Sequence, residues 1–272
     1  MHGLSTVLEK PYLRLTSAPA ADTVRPPAVL KQALALVKRR WRERGDYASA
    51  CEQLKAIRQC LTVQHITTGA LVIDAYETHG RLALEARDSA EHAQCAAVLR
   101  VLHAPRGAPG NPAEFTAYRI LQAAALGSAA LQAELRHLYS PSRDSALAAH
   151  PFIKHAMAAA HAALGGSAPA FFRCYTDAPR MSAYLLDVLA PRVRAVALAA
   201  ALASYRPGVP ATWLATQLGF EEVSALLTWA QASGAVCDES TGEALLCRVT
   251  GPPALPPAAR ERAGKKRKRT KG

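Results

Sequence analysis

Residues 26–62 read PPAVLKQALALVKRRWRERGDYASACEQLKAIRQCLT, and the fold class follows from this stretch. Pro26 and Pro27 stand where a first helical turn tolerates proline, because the amide hydrogens they lack would have no partner there. Val29, Leu30, Ala33, Leu34, Val37 and Trp41 then recur at helical spacing. Asp46 is placed to cap a second helix that carries Ala50, Leu54, Ile57 and Leu61 on one face. The pattern is that of one helical pair.

The same cadence extends outward. A third helix is expected from about Thr68 to Ala86 and its partner from Ser89 through Leu102. Pro105 to Pro112 is a Pro/Gly-rich break, followed by a helix with Phe115, Tyr118, Ile120 and Leu121. Shorter helices are expected over 129–139, 145–164 and 168–175, then a long one over 181–205 that Pro191 should kink. Before residue 26 the chain looks irregular and extended. With hydrophobic residues at 50%, aromatics at 6% and alanine abundant, helix formers are in surplus over sheet formers. The expectation is an all-α protein, an irregular TPR-like solenoid of helical pairs.

The texture changes at Arg206-Pro207-Gly208. Residues 210–218 and 221–233 read as two short helices, the second acidic at its start, where the helix dipole favours negative charge, and stopped by Gly234. Residues 235–237 and 244–249, joined by Ser240-Thr241-Gly242, read as a β-hairpin. Two helices followed by a hairpin make a small winged helix. The expected organisation is therefore an extended segment over 1–25, a helical-repeat domain over 26–205, a winged helix over 206–250 and a disordered basic tail over 251–272.

Charge is distributed unevenly. Of the net +12, residues 251–272 carry +7, residues 207–250 carry −4 and residues 1–206 carry +9. Such a chain is suited to meet a polyanion at one place and a protein at another. No apolar run approaches the roughly 20 residues needed to span a bilayer, and the N-terminus has no secretory core, so a soluble protein that is not secreted and does not enter membranes is expected. Six cysteines without a CxxC pair read as buried free thiols rather than a metal centre or disulfides.

Several strings carry more than pattern. LEKPYLRLTSAP (8–19), TVRP (23–26), YASACEQLKAIRQCLT (47–62), residues 72–84 with Tyr76-Glu77-Thr78-His79, EFTAYR (114–119), FFRCY (171–175) and APRM (178–181) resemble, in order, the blocks of the Sac/GANP family of messenger-RNA export and processing proteins. The resemblance runs from about Leu8 to Val249. It implies a helical-repeat plus winged-helix subunit of PCI type, which pairs with a second PCI-domain protein through the winged-helix end. It also implies a small acidic disordered subunit shared with the proteasome lid, RNA bound within the complex, and work in the nucleus. The winged-helix segment here is net acidic, with only Arg206 and Arg248 near it, so a nucleic-acid role for that module is not carried over.

Candidate sites follow from charge and aromatic placement. Lys265, Lys266, Arg267, Lys268, Arg269 and Lys271 suit an importin groove or a phosphate backbone, against the plainer reading of a solubilising tail. Lys38, Arg39, Arg40 and Arg42 beside Trp41 offer a face for RNA or the acidic partner, although consecutive residues point all round a helix and a solvated face explains them equally. Trp213, Glu221, Glu222, Trp229, Asp238 and Glu239 are candidates for the partner interface, against core packing for the tryptophans and ordinary exposure for the acids. Arg14, Arg25, Arg119, Arg173 and Arg180 read as buried or half-buried arginines that bond carbonyls between helices. No catalytic motif, cofactor site or metal site is expected: GxSxG, HExxH and phosphate loops are missing, and His155 and His161 lie about 240° apart on a helix.

The resulting expectation is a non-enzymatic nuclear adaptor of messenger-RNA processing and export that binds a second PCI subunit and RNA. The alternative keeps the fold as a structural subunit of a proteasome-lid, signalosome or initiation-factor assembly without RNA contact. Deleting residues 264–272 is expected to shift a fluorescently tagged chain from nucleus to cytoplasm; a tagged deletion that stays nuclear removes the localisation role of the tail.

Overall fold

The computed structural model describes residues 2–105, 107–140, 145–205, 208–238 and 245–247. Among these the chain is all-α in class: twelve α-helices, one 3₁₀ turn at Ala21–Thr23 within the otherwise extended first segment, and strands confined to one small sheet near the C-terminal end. It divides into two compact units, residues 1–119 with 136–153, and residues 120–135 with 154–272.

In the first unit, α1 (Pro27–Arg44), α2 (Tyr47–Val63), α3 (Ala70–Glu85) and α4 (Ser89–Leu102) each pack on the next, and α1 also reaches α3. Local chemistry sets the boundaries. Pro27 opens α1, and Gly45, at φ 63°, closes it in the left-handed conformation that a β-carbon disfavours. Asp46 accepts from the Ser49 amide at 3.2 Å and Asp88 from the Glu91 amide at 3.0 Å, so both following helices start on a side-chain cap. Leu30, Leu34 and Val37 of α1 meet Leu54, Ile57 and Leu61 of α2, and Val72, Ala75 and Leu82 of α3 complete this core.

The segment before α1 is extended, as its prolines imply, and it is tied to α2 by backbone bonds. Gln53 and Gln64 accept from the amides of Lys10 and Gly3 at 3.0 Å each, and Gln59 donates to the Leu13 carbonyl at 2.7 Å. Fully buried Arg25 donates to the Leu8 carbonyl at 2.7 Å. Gly3 approaches Val24 so closely that a β-carbon would stand 2.4 Å from its carbonyl oxygen.

Then follow α5 (Pro112–Leu126), α6 (Ser128–Leu138), the single turn α7 (Ser145–Ala148) and α8 (Pro151–Leu164). The continuous helix expected over 145–164 is broken. Pro151 cannot donate a helical hydrogen bond, so α8 starts on it, with the Phe152 amide bonded to His150 Nδ1 at 3.1 Å.

The second unit holds α9 (Ala168–Thr176) and α10 (Ser182–Ser204), which runs on through Pro191. It ends in β1 (Val209–Pro210), α11 (Ala211–Gln217), α12 (Val223–Ala232), β2 (Val236–Asp238) and β3 (Leu245–Cys247). The strands form an antiparallel sheet in the order β1-β3-β2, with Val236 opposite Cys247 and Val209 opposite Leu246. The two expected strands therefore pair, gaining a third from just before α11, while the Ser240-Thr241-Gly242 turn between them and residues 244 and 248–249 lie outside the described residues. Gly234, at φ 90°, ends α12 as its position implied.

Ile57 is fully buried in the α1–α3 core. Ile57→Ala is expected to lower the unfolding free energy by about 3 kcal/mol in urea titrations, whereas exposed Glu52→Ala should change it by less than about 0.5 kcal/mol.

Candidate interaction surfaces

The basic run of α1 does not present a united face. Lys38 turns toward α3, its Nζ 2.6 and 2.7 Å from the two carboxylate oxygens of Asp74. Arg40 is ion-paired with Glu9 of the extended segment, and Arg39 lies 3.8 Å from Glu43 one turn on. Arg42 is exposed and bonds the Lys38 carbonyl at 3.2 Å. Three of the four cations thus face a carboxylate, which weakens the local field more than it adds stability, since such exposed pairs contribute at most about 1 kcal/mol each. Trp41 is half-buried, edge-on to Tyr47 with ring centroids 6.5 Å apart.

Beneath this surface lie two buried charge networks. In the first, Glu77 of α3 accepts from Asn111 Nδ2 at 2.7 Å and Arg81 Nη2 at 3.1 Å, and meets His103 Nε2 at 3.1 Å. Arg81 also grips Glu114 with two bonds of 2.8 and 2.9 Å while lying over the Phe115 ring. Burial works against ionising Glu77, but the His103 and Asn111 bonds and the Arg81 charge win and hold its carboxyl at about 2. The network ties the segment before α5 to α3.

In the second, Glu91 of α4 receives Lys55 Nζ at 3.0 Å and Arg58 Nη2 at 2.8 Å, both from α2. Arg58 also donates to Cys95 Sγ at 3.0 Å and covers the Tyr76 ring. Ligand-type atoms of Cys51, His79 and Glu91 lie within 4.8 Å of one another, and neither ring nitrogen of buried His79 has a hydrogen-bond partner. The geometry is that of three metal ligands, yet the charges are not. Glu91 already holds two cations, so a metal ion would have to displace one of them and sit beside the other.

In the second unit, Arg194 of α10 pins the end of α11. Its Nε and Nη2 donate to the Leu218 and Gly219 carbonyls at 2.9 Å each, and its guanidinium lies over the Phe172 and Phe220 rings, 5.0 and 4.1 Å from their centroids. Gly219 has φ +64°, and a β-carbon there would meet the Phe172 ring at 2.5 Å. Sequence reading passed over Arg194, because its partners are carbonyls 24 and 25 residues away.

Trp229 is half-buried against Phe220, with ring centroids 5.5 Å apart, while Trp213 is 43% exposed beside Tyr205. Glu221 and Glu222 are exposed at the start of α12, and Asp238 lies on β2. Glu239 and the cluster Lys265, Lys266, Arg267, Lys268, Arg269 and Lys271 lie outside the described residues. Of the arginines read as buried, Arg25 and Arg119 are; Arg14, Arg173 and Arg180 are exposed, because their positions on the extended segment, α9 and the turn before α10 face outward.

These features define a helical-repeat protein closed by a helix–helix–hairpin module. A profile of the SAC3/GANP family matches residues 98–239, and the chain belongs to that family of messenger-RNA export- and processing-related proteins. It is 39% identical over 247 residues to a THP3 homolog of Schizosaccharomyces pombe, covering 90% of this chain and 61% of the relative. A leukocyte receptor cluster member 8 homolog of Xenopus laevis is 44% identical over 219 residues, 80% of this chain and 26% of the relative. SAC3 family protein A of Arabidopsis thaliana is 35% identical over 261 residues, with 25% of its length covered. The chain thus spans about three-fifths of the first relative and a quarter of the others. No helix among the described residues is long and apolar enough to cross a membrane.

His79 sets a pH dependence. Burial, and after it the Arg58 charge, hold its pKa down at about 4 against an ordinary 6.5. The unfolded chain therefore takes up this proton from pH 6.5 downward while the folded chain resists until about 4, so the contribution is present above 6.5 and lost as pH falls through that window. Urea unfolding is expected to show roughly 2–3 kcal/mol less stability at pH 4.5 than at pH 7, and His79→Gln should flatten that difference.

Proposed function

We propose that this chain is a nuclear adaptor subunit of messenger-RNA processing and export assemblies, which works by docking a second PCI-type subunit and RNA and performs no chemistry of its own. The observation that carries this reading is the family match, which extends from α4 into the hairpin of the terminal module. Glu221 and Glu222, exposed where α12 begins, offer a basic partner surface two carboxylates. The small acidic subunit docks along α1, where Arg39 and Arg42 are exposed, and RNA is held mainly by the six cations between Lys265 and Lys271, which have no acidic residue among them.

The test is co-purification of the tagged full chain from nuclear extract, with ultraviolet crosslinking to poly(A) RNA. A second PCI chain, a small acidic chain and crosslinked RNA are expected together; proteasome-lid subunits recovered alone, without RNA, reject the reading. Glu221→Lys with Glu222→Lys is expected to reduce recovery of the PCI partner about tenfold, on the order of 1.4 kcal/mol. Arg39→Glu with Arg42→Glu is expected to release the acidic chain while leaving the salt dependence of RNA binding unchanged; a shallower salt slope would place RNA on α1 instead.

A further inference from the structure

One surface of the second unit stands apart in a chain of net charge +12: a groove whose lining, among the described residues, contains no charged side chain. Its floor is the second half of α10, with Ala197, Ala200 and Ala201. One wall is α11 and the other begins at Pro169 of α9. Tyr205 and Trp213 flank it, 45% and 43% exposed, with ring centroids 5.4 Å apart. It encloses about 300 Å³. Large aromatic rings left this open beside small side chains form a surface that gains by being covered.

The sheet register says which piece of chain arrives at this place. Val209 faces Leu246 and Pro210 faces Leu245 in antiparallel pairing, so β3 runs back along the chain toward residue 208, and three residues of chain keep residue 208 within about 11 Å of Tyr205. After Arg248-Val249-Thr250 come residues 251–259, GPPALPPAA, which carry no charge before Arg260. From Cys247 to Pro252 the chain can span about 16 Å when extended. A proline-rich hexamer in polyproline geometry covers about 19 Å with little further loss of entropy, and aromatic-lined grooves are the surfaces that take such segments.

We propose that the segment Pro252-Pro253-Ala254-Leu255-Pro256-Pro257 of this same chain docks in the groove between α10 and α11, with Leu255 over the alanine floor and the prolines against Tyr205 and Trp213. The uncharged lining matches the uncharged segment. The arrangement fixes where the basic cluster that begins at Lys265 leaves the folded body, eight residues after Pro257. It holds whether or not the adaptor reading above survives.

The experiment places a photoreactive p-benzoylphenylalanine at Leu255 in the full chain and maps the crosslinks by mass spectrometry. Crosslinks within one molecule to residues 197–205 or 211–217 are expected. Crosslinks only between isotopically light and heavy copies would give the groove to a second copy and overturn the proposal, as would crosslinks that miss it. In parallel, Pro252, Pro253, Pro256 and Pro257 are all changed to Ser in the full chain. Amide exchange over residues 211–217 should then rise about fivefold, as expected when a segment docked about four-fifths of the time is released. Unchanged exchange in that variant overturns the proposal as well.

Discussion

A helix that meets several neighbours at once must satisfy each of them, and α2 is that helix in the first unit, leaving Glu52 and the start of its first turn to solvent. Its apolar stripe, Leu54, Ile57 and Leu61, is closed by α1 and α3. Its cations Lys55 and Arg58 converge on Glu91 of α4, whose side chain is only 7% exposed. Gln53 and Gln59, with Gln64 just past its end, bond the backbone of the extended segment. Each contact depends on the others. A buried carboxylate deprived of its guanidinium is a severe defect, and the extended segment has only a few bonds of its own, such as Leu4 and Ser5 amides to the Ala21 and Val24 carbonyls, to fall back on. The helical pairs are thus held by polar contacts fixed in register as well as by the greasy seam.

The second unit solves a similar problem with one side chain. Just past α11 the carbonyls of Leu218 and Gly219 receive two donors from Arg194, whose guanidinium also lies over the Phe172 and Phe220 rings. A lysine could offer the charge but neither the fork nor the flat face. Gly219 is required at the same point by both its backbone angle and the Phe172 ring. The start of α12, where Glu221 and Glu222 stand exposed, inherits its position from this pin.

What the sequence made legible was what short-range chemistry decides. Pro26–Pro27, Asp46 and Gly234 announce helix ends within a few residues, and the apolar spacing in α1 and α2 needs no partner to be read. Pro151 carried the same kind of signal, and the long apolar run around it concealed the break. Long-range pairings were not legible. The charge of Lys38 and Arg40 was plain, but Asp74 and Glu9 lie 36 and 31 residues away and nothing local points to them. β1 is two residues long and is a strand only because β3 returns to it. The family blocks were visible as strings; which of their arginines would be buried was settled by packing, and Arg14, Arg173 and Arg180 went outward.

The Arg58 network has one further consequence. It encloses Cys95, whose thiol is pushed up to about 12 by burial, and Cys51 and Cys60 are buried nearby on α2. Thiolates are the nucleophilic form, so Cys95 stays inert toward alkylating reagents and oxidants for as long as α2, α3 and α4 remain closed, and burial alone keeps such reagents from Cys51 and Cys60. Their modification rate is therefore set by how often the helices part, and the first unit carries within it a chemical clock of its own breathing.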